Sequence, residues 1–326
     1  MAFYNSIPGW QPKMIKSLSA KMGKNIVEAC RPRQWPKNLL VYASALFSFR
    51  SDLQIWVSSS VALVSFCLVS SAIYLVNDVI DVNADRAHPT KRRRPIASGA
   101  LPIPAALGTA VVLECASLAV AVSVNQALAG VVLTYTLIQL AYCLKLKRQP
   151  LLDLFCIASG FLLRALAGLV ATGLGASPWF LLTIGLLALF LAVEKRKAEL
   201  RISLDRGVVT RQVLMRYSLP LLQRLESLVA SSAFMAYALW SAGPALKGAP
   251  TSWMLLTVPF VLVGIFRYQL LSDPEETQRR LSSNPEQTTE KPEEILLGDR
   301  GIHLTLLGWL LTVVVVGMAH RQGWLA

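Results

Sequence analysis

Long apolar runs separated by short polar segments set the pattern of this chain. Nine of these runs approach or exceed the roughly 20 residues that an α-helix needs to cross a bilayer. They cover 36–49, 55–76, 101–124, 127–144, 151–174, 178–193, 225–243, 252–270 and 302–319. The first run is the weakest, because Pro36 and Lys37 interrupt its start. The pattern predicts an all-α polytopic membrane protein, a bundle of nine transmembrane helices.

Composition agrees with a membrane protein and excludes several other classes. Hydrophobic residues make up 54% of the 326 positions and charged residues only 16%, whereas a soluble protein is about a quarter charged. The same figures exclude a disordered chain, a collagen-like fibre and a disulfide scaffold. The bases are spread over many loops with few interleaved aromatic residues, so we expect no nucleic-acid partner.

The positions of the basic residues predict the orientation of the spans. The chain has 32 Lys and Arg against 19 Asp and Glu, a net charge of +13. All but four of these bases lie in or at the edge of the N-terminal segment or the loops after spans two, four, six and eight. Arg50, Lys247 and Arg321 lie on the other side, and Arg164 lies within the fifth span. Because Lys and Arg mark cytoplasmic loops, we expect a cytoplasmic N-terminus and an external C-terminus.

Residues 1–35 form a basic segment ahead of the single transmembrane domain that we predict for 36–326. Between residues 14 and 27, apolar residues recur at helical spacing among Lys16, Lys21 and Lys24. That pattern is typical of an amphipathic helix lying on an anionic membrane surface. A poorly ordered basic tail is the alternative, and the pattern alone does not separate the two.

The most informative polar stretch follows the second span and contains Asn77, Asp78, Asp81 and Asp85. On a helix the three aspartates share roughly 60° of arc, and Asn77 lies about 40° from Asp81. Crowded carboxylates repel one another unless a cation lies between them. A set of oxygen ligands without His or Cys suits Mg²⁺. We therefore expect a magnesium site at the cytoplasmic mouth of the bundle. A solvated helix end paired with the bases at 91–94 is the alternative.

The basic block at 91–94 follows these acids directly. Acids followed by bases suit a metal–diphosphate ligand, because carboxylates hold the metal while Lys91 and Arg94 contact phosphate oxygens. An ordinary cytoplasmic loop carries the same positive charges, so the block alone does not decide between these interpretations.

The run from Asn77 to Asp85 resembles the N-D-x-x-D-x-x-x-D motif of the UbiA superfamily of intramembrane prenyltransferases. The resemblance implies a nine-helix bundle with a Mg²⁺–diphosphate site that faces the cytoplasm. It also implies that Asn77, Asp78, Asp81 and Asp85 ligate the metal, with the three aspartates as the catalytic residues.

Five further stretches resemble one branch of that superfamily, the decaprenyl-phosphate phosphoribosyltransferases. They are 31–38 (R-P-x-Q-W-x-K-N), 142–153 (Y-S-x-x-L-K, then P-x-x-D), 164–168 (R-A-x-A-G), 194–200 (G-K-R-Y-A-E-L) and 292–300 (P-E-E-x-L-L-x-D-R). Two departures are Glu194 and Lys197, which stand where the branch has Gly and Tyr. The resemblance implies the inner membrane of a bacterium and a lipid-linked pentose that supplies arabinose to envelope polymers.

The stretch after the sixth span bears on which donor is used. In the members of the UbiA superfamily that prenylate aromatic acceptors, the corresponding stretch contains a second aspartate-rich cluster, which holds a further metal. In this chain the stretch 194–206 is basic and contains no D-x-x-x-D. A basic wall suits phosphoribosyl pyrophosphate (PRPP), which carries a 5-phosphate besides its diphosphate. We expect transfer of a 5-phosphoribosyl group to a polyprenyl phosphate of the decaprenyl type. Transfer of a prenyl group to an aromatic acceptor is the alternative.

The resemblance also suggests which residues contact phosphate or sugar. They are Lys37, Asn38, Lys91, Arg94, Tyr142, Lys147, Lys195, Arg196 and Glu199. Asp153 is expected either to contact ribose hydroxyls or to pair with Arg164, which lies at membrane depth and needs a partner. Glu114 either faces a wet cavity or pairs with Arg164.

Two questions stay open at the level of the sequence. A transporter or lipid scaffold without chemistry is a further alternative, and it predicts polar sites near the membrane midplane. The acids instead cluster at one mouth of the bundle, which favours an enzyme. The sequence also leaves the oligomeric state open, and a homo-oligomer is one of the alternatives.

Overall fold

The regular structure of the described part of this chain is helical. The computed structural model describes residues 12–88, 90–175, 177–206, 212–273, 275, 276, 279 and 298–324, and no β-strand occurs in these ranges. Part of the last resemblance stretch, 292–297, lies outside the described residues. The main helices are α1 Pro12–Ala29, α2 Ala43–Phe47, α3 Leu53–Ile80, α4 Val82–Ala87, α5 Ile103–Val124, α6 Gln126–Leu144, α7 Leu152–Thr172, α8 Pro178–Arg206, α9 Leu219–Ser241, α10 Val258–Leu271 and α11 Arg300–Arg321.

Short 3₁₀ segments connect several of these helices. They are Pro32–Tyr42, Lys91–Arg93, Leu146–Arg148, Gln212–Arg216, Pro244–Leu246 and Ser252–Thr257. The last of them leads directly into α10, so the two form one continuous apolar segment, Ser252–Leu271.

Seven segments of the described chain are long and apolar enough to cross a membrane. They are Leu53–Ile80, Ile103–Val124, Gln126–Leu144, Leu152–Thr172, Pro178–Leu204, Ser252–Leu271 and Arg300–Arg321. Each of them overlaps one of the nine predicted spans. The polytopic all-α architecture expected from the sequence is therefore confirmed, with seven candidate spans.

The two remaining predicted spans differ from a regular apolar helix. The run 36–49 is built as the 3₁₀ segment Pro32–Tyr42 followed by the five residues of α2. The run 225–243 lies in α9. This helix is long enough to cross a membrane, but its first two turns contain Gln223, Arg224 and Glu226. Proline in the first case and polar residues in the second account for the difference.

The 3₁₀ segment Pro32–Tyr42 packs tightly against α7. A Cβ atom added at Gly168 would lie only 1.9 Å from the backbone oxygen of Val41 and 2.9 Å from Ser44 Oγ. Glycine at this position therefore lets the backbone of the 3₁₀ segment touch the helix. The R-A-x-A-G stretch thus has a packing role in addition to the buried Arg164.

Helix α1 confirms the helix expected for residues 14–27. Ala29 and Cys30 at its end pack into a buried apolar cluster with Ala72, Leu75 and Leu101. Lys21, Met22, Lys24 and Val27 are exposed, as they are in an interfacial helix. Whether this helix lies on a membrane surface stays a prediction.

The segment after the sixth predicted span is helical. The sequence places a loop from residue 194 onward, but α8 continues without a break to Arg206. No Pro or Gly occurs between Lys195 and Arg206, and Lys197 pairs with Glu194 one turn earlier, which favours continuation of the helix. The charged residues of this stretch therefore lie on defined helix faces.

Candidate active site

The acidic run lies where α3 ends and α4 begins. Asp78 occupies the last turn of α3, Asp81 is the junction residue, and Asp85 lies in the first turn of α4. The backbone N–H of Asp81 still bonds to Asn77 O, and that of Asp85 to Asp81 O. The helical path thus continues through the junction. Asp78 and Asp85 are buried, and Asp81 is half-buried.

Each of the three aspartates is paired with a base from another segment. Arg94 Nη1 lies 2.6 Å from Asp85 Oδ2 and 3.1 Å from Asp78 Oδ1. Lys147, from the turn after α6, donates to Asp81. The structure thus brings together five residues that the sequence suggests for the site, although it pairs the acids with bases as the alternative interpretation expected. Two of the acids are nevertheless buried, so a solvated helix end does not describe them.

Arg31 is a member of this site that the sequence analysis did not single out. It donates to Asp78, and its guanidinium lies over the ring of Tyr74, 5.0 Å from the centroid. Its backbone is left-handed, with φ 55° and ψ 59°, a conformation that costs a non-glycine residue free energy. The available signal was its place as the first residue of the R-P-x-Q-W stretch.

Asn77 faces α6 on the inner side of the acidic run. Its Oδ1 accepts a hydrogen bond from Cys143 Sγ at 3.4 Å. Cys143 stands where the similar Y-S-x-x-L-K segment has Ser, and it is buried. The amide is therefore oriented by a thiol donor next to the residues that carry the acids.

The donor chemistry fits a hard divalent cation held together with a phosphate ligand. Among the described residues, no group of three or more His, Cys, Asp or Glu side chains is close enough to hold a metal by itself. Mg²⁺ needs only one or two carboxylates when substrate phosphates complete its shell. The bases beside the acids are then the groups that would turn to the phosphates.

A second buried network lies between α6, α7 and α8. Arg196 is fully buried and donates from Nε to Asp153 Oδ2 at 2.7 Å. It also donates to Glu199 and approaches the Tyr142 hydroxyl at 3.5 Å. The hydroxyl of Tyr217 donates to Asp153 Oδ1 at 2.7 Å. Asp153 therefore pairs with Arg196, and its expected pairing with Arg164 is wrong.

The phenol of Tyr217 acts as a hydrogen-bond donor in this network. Burial, and then the hydrogen bond to Asp153, raise the pKa of the Tyr217 hydroxyl above its ordinary value. The protonated phenol donates to one carboxylate oxygen of Asp153 and Arg196 donates to the other. Both oxygens of this buried carboxylate therefore have hydrogen-bond partners. Through Arg196, the network also joins Tyr142 of α6 to Glu199 of α8. Both residues are suggested for the site.

Two of the three hydrogen-bond partners of Arg164 lie on other elements, and the third is one turn earlier in α7. Its Nε donates to Asn38 Oδ1 at 2.7 Å, Nη1 to Gly160 O at 2.6 Å and Nη2 to the Tyr135 hydroxyl at 3.2 Å. The Asn38 side chain also donates from Nδ2 to Ser70 Oγ at 3.3 Å. Asn38 is buried and both ends of its amide are engaged, which argues against the phosphate contact expected from sequence.

Glu114 does not pair with Arg164 either. Its Oε1 accepts a hydrogen bond from Thr136 Oγ1 at 2.8 Å. The remaining bases suggested for substrate contact are half-buried at three different places: Lys37 in the first 3₁₀ segment, Lys91 three residues before Arg94, and Lys195 beside Arg196.

An apolar cavity of about 410 Å³ lies between α2 and helices α8 to α11. Its walls include Leu40, Leu187 and Ile265. The rings of Phe47, Phe180 and Trp240 separate it from a smaller cavity of about 180 Å³ that contains Ser44, Ser48, Arg50 and Ser177. Phe47 packs edge-on against Trp240 with centroids 4.8 Å apart.

A buried acid–base site at one end of an apolar helix bundle defines a class of intramembrane transferases. A model of the UbiA prenyltransferase family matches residues 39–283, and the chain belongs to this family. Its fold matches a UbiA homolog from Archaeoglobus fulgidus bound to DMAPP and Mg²⁺, with a TM-score of 0.63 at 18% identity, over 90% of this chain and 99% of that one.

Among curated proteins, the chain is similar to decaprenyl-phosphate phosphoribosyltransferases. The protein of Mycolicibacterium smegmatis is 39% identical over 301 residues, which cover 88% of this chain and 91% of that protein. The protein of Corynebacterium glutamicum is 35% identical over 305 residues, covering 90% of this chain and 87% of that protein. The family and the branch expected from the sequence motifs are thus confirmed.

Proposed function

We propose that this protein transfers a 5-phosphoribosyl group from PRPP to a polyprenyl phosphate of the decaprenyl type and releases diphosphate. The observation that carries the proposal is the ring of bases around the acidic run. Arg31 and Arg94 contact Asp78, and Lys147 contacts Asp81. These bases neutralise the carboxylates. A site with that many bases suits a donor that carries more phosphate charge than a single diphosphate. The names of the similar curated proteins support the same reaction.

Asp78, Asp81, Asp85 and Asn77 are the residues that would hold Mg²⁺. When bound, the metal supplies Lewis-acid stabilisation of the leaving diphosphate. Arg31, Arg94 and Lys147 exchange their carboxylate partners for oxygens of the donor, which keeps every buried charge paired. Two structures of similar fold contain Mg²⁺ with a prenyl diphosphate, which supports a divalent metal in this family.

The reaction itself requires no strong general base from the protein. The C1–O bond to the diphosphate breaks and its electron pair leaves with the diphosphate. An anionic oxygen of the polyprenyl phosphate attacks C1 and forms the new C1–O bond. Because that oxygen carries no proton, the chain has to orient the two phosphates and stabilise charge, which fixed bases do efficiently.

The apolar cavity is the place for the first isoprene units of the acceptor. Most of its lining residues are apolar, Leu40, Leu187 and Ile265 among them. A cavity of about 410 Å³ holds only part of a long polyprenyl chain, so the rest of the tail continues into the bilayer. This arrangement keeps the acceptor phosphate at the membrane surface, where the bases lie.

The topology belongs to the same proposal. A single domain, 36–326, forms nine membrane segments, of which α2 with its 3₁₀ segment is one and α9 another. Residues 1–35 precede it. The acidic run faces the cytoplasm of a bacterium from the inner membrane, the N-terminus is cytoplasmic and the C-terminus is external. The distribution of Lys and Arg supports this orientation. Labelling of single cysteines introduced at Arg92 and Lys247 from either side of sealed vesicles tests it.

Activity with defined substrates tests the reaction. Purified protein is incubated with labelled PRPP, MgCl₂ and decaprenyl phosphate, and the lipid fraction is analysed for a lipid-linked pentose phosphate. A parallel reaction contains geranyl diphosphate and 4-hydroxybenzoate. Formation of the lipid-linked pentose phosphate is the expected result. Its absence, with prenylation of the aromatic acid, would overturn the proposal in favour of the alternative.

A further inference from the structure

Three helices meet at a buried cluster of charges that the proposed reaction does not use. Lys197 Nζ lies 2.5 Å from Glu194 Oε1 in α8 and also contacts Glu226 in α9. Gln269 in α10 donates from Nε2 to Glu226 Oε1 at 3.1 Å. Lys197, Glu194 and Glu226 are 4%, 2% and 7% exposed. We call Glu194, Lys197, Glu226 and Gln269 the α8–α9–α10 cluster.

The cluster contains both departures from the G-K-R-Y-A-E-L segment of the similar branch. Glu194 and Lys197 stand where that motif has Gly and Tyr, and the structure shows that these two residues contact each other. A buried ion pair costs desolvation free energy, and apolar residues often replace one without loss of stability. Stability alone is therefore a weak reason for three charged residues here.

The cluster lies behind the site face of α8. Successive helical residues are separated by 100°, so Glu194 and Lys197 lie roughly opposite Lys195, Arg196 and Glu199. On that opposite side Arg196 bonds to Asp153 and Glu199. The same two turns of α8 are thus fixed by ion pairs on both sides, to α7 on one and to α9 on the other.

We propose that Lys197 is a positioning residue, which sets the rotation of α8 about its axis and thereby holds Lys195 and Glu199 toward the donor. This inference rests on the proposed function, since those two residues are among the suggested substrate contacts. Lys197 does not touch the donor, because two carboxylates enclose its ammonium group and it is almost fully buried. It acts through the contact between α8 and α9.

The test compares three variants with the full-length wild type in the same detergent. Lys197→Met leaves two buried carboxylates without a base. The triple variant Glu194→Gln, Lys197→Met, Glu226→Gln removes all the charge, so it folds even where the single variant does not. Glu226→Asp keeps the ion pair but shortens its reach. Arg267→Gln is the matched control, because Arg267 pairs with Asp299 across α10 and α11.

The readouts are the KM for PRPP, kcat and the thermal unfolding midpoint. The triple variant and Glu226→Asp should raise the KM for PRPP by about tenfold or more, with kcat less affected, because small displacements of positioned groups are costly. Arg267→Gln should leave KM unchanged. A folded triple variant with the KM of wild type would overturn the proposal, and so would a change in unfolding midpoint alone.

The outcome of this test is separable from that of the proposed function. If the wild type does not turn over PRPP, the proposed reaction fails. The variants are then compared on geranyl diphosphate. A raised KM for that donor supports the positioning role of Lys197, and an unchanged KM overturns it.

Discussion

Arg94 lies 2.6 Å from Asp85, nine residues earlier in the chain, and closes the loop between them. The same Nη1 atom is 3.1 Å from Asp78 Oδ1. One guanidinium therefore joins the end of α3 to α4, and two buried acids depend on it. The flanking bases Arg92 and Arg93 are exposed, so within the basic block Arg94 contacts the acids while these two neighbours face solvent.

Replacing Arg94 should impair turnover far more than replacing its neighbour. Arg94→Met removes the base shared by Asp78 and Asp85 and a phosphate contact of the proposed reaction. We expect kcat/KM for PRPP to fall by about a hundredfold or more, as for loss of other charge-stabilising groups. Arg92→Met is the control, and it should stay within about twofold, as expected for a surface change away from such features. Equal effects of the two changes would show that Arg94 acts only through net charge.

Asp81 is the acid best suited to test metal binding. Its side chain is 31% exposed, against 3% for Asp78, so its removal should leave the fold intact. Asp81→Ala should abolish turnover and weaken Mn²⁺ binding measured by electron paramagnetic resonance. Asn83→Ala, an exposed change in α4, is the control. Mn²⁺ affinity equal to that of wild type would argue against Asp81 as a ligand.

Arg164 and Asn38 should behave as one structural unit. Arg164→Met leaves the buried Asn38 amide without its main partner, and Asn38→Leu leaves a buried charge short of an acceptor. A hydrogen bond to a charged group contributes about 1.5–3 kcal/mol, so each single variant should lower the unfolding midpoint clearly. The double variant should lose less than the sum of the two. Strict additivity, measured by thermal unfolding, would contradict the pairing.

The sequence and the structure agree where the information is local. Apolar runs predicted the seven candidate spans of the described chain, and helical spacing predicted a shared face for Asp78 and Asp85, which Arg94 contacts together. Both features depend on residues near each other in the chain. The partners of buried charges depend on packing instead. Asn38 is 126 residues from Arg164, and Asp153 is 43 from Arg196. No local pattern separates Arg164 from Arg196 as the partner of Asp153, so that prediction was wrong.

Gly168 should tolerate no side chain. Gly168→Ala places a Cβ atom 1.9 Å from Val41 O, so α7 and the first 3₁₀ segment must move apart. Overpacking of this kind typically costs about 1–3 kcal/mol, and we expect a lower unfolding midpoint. Gly108→Ala in α5 is the control, because its Cβ meets nothing within 4 Å. Gly108→Ala reduces the backbone freedom of the unfolded chain, so its unfolding midpoint should be equal to that of wild type or slightly higher. Equal midpoints for the two variants would contradict the tight contact at Gly168.

Phe47 should affect the lipid acceptor and not the donor. Its ring packs edge-on against Trp240 and Trp309, with centroids 4.8 and 5.8 Å away, and lies between the apolar cavity and the smaller polar one. Phe47→Ala joins the two cavities and removes apolar contacts, since aromatic side chains bury a large area. We expect a higher KM for decaprenyl phosphate and an unchanged KM for PRPP. Phe266→Ala, an exposed ring on α10, is the control and should change neither. If Phe47→Ala raises the KM for PRPP instead, the cavity does not hold the lipid tail.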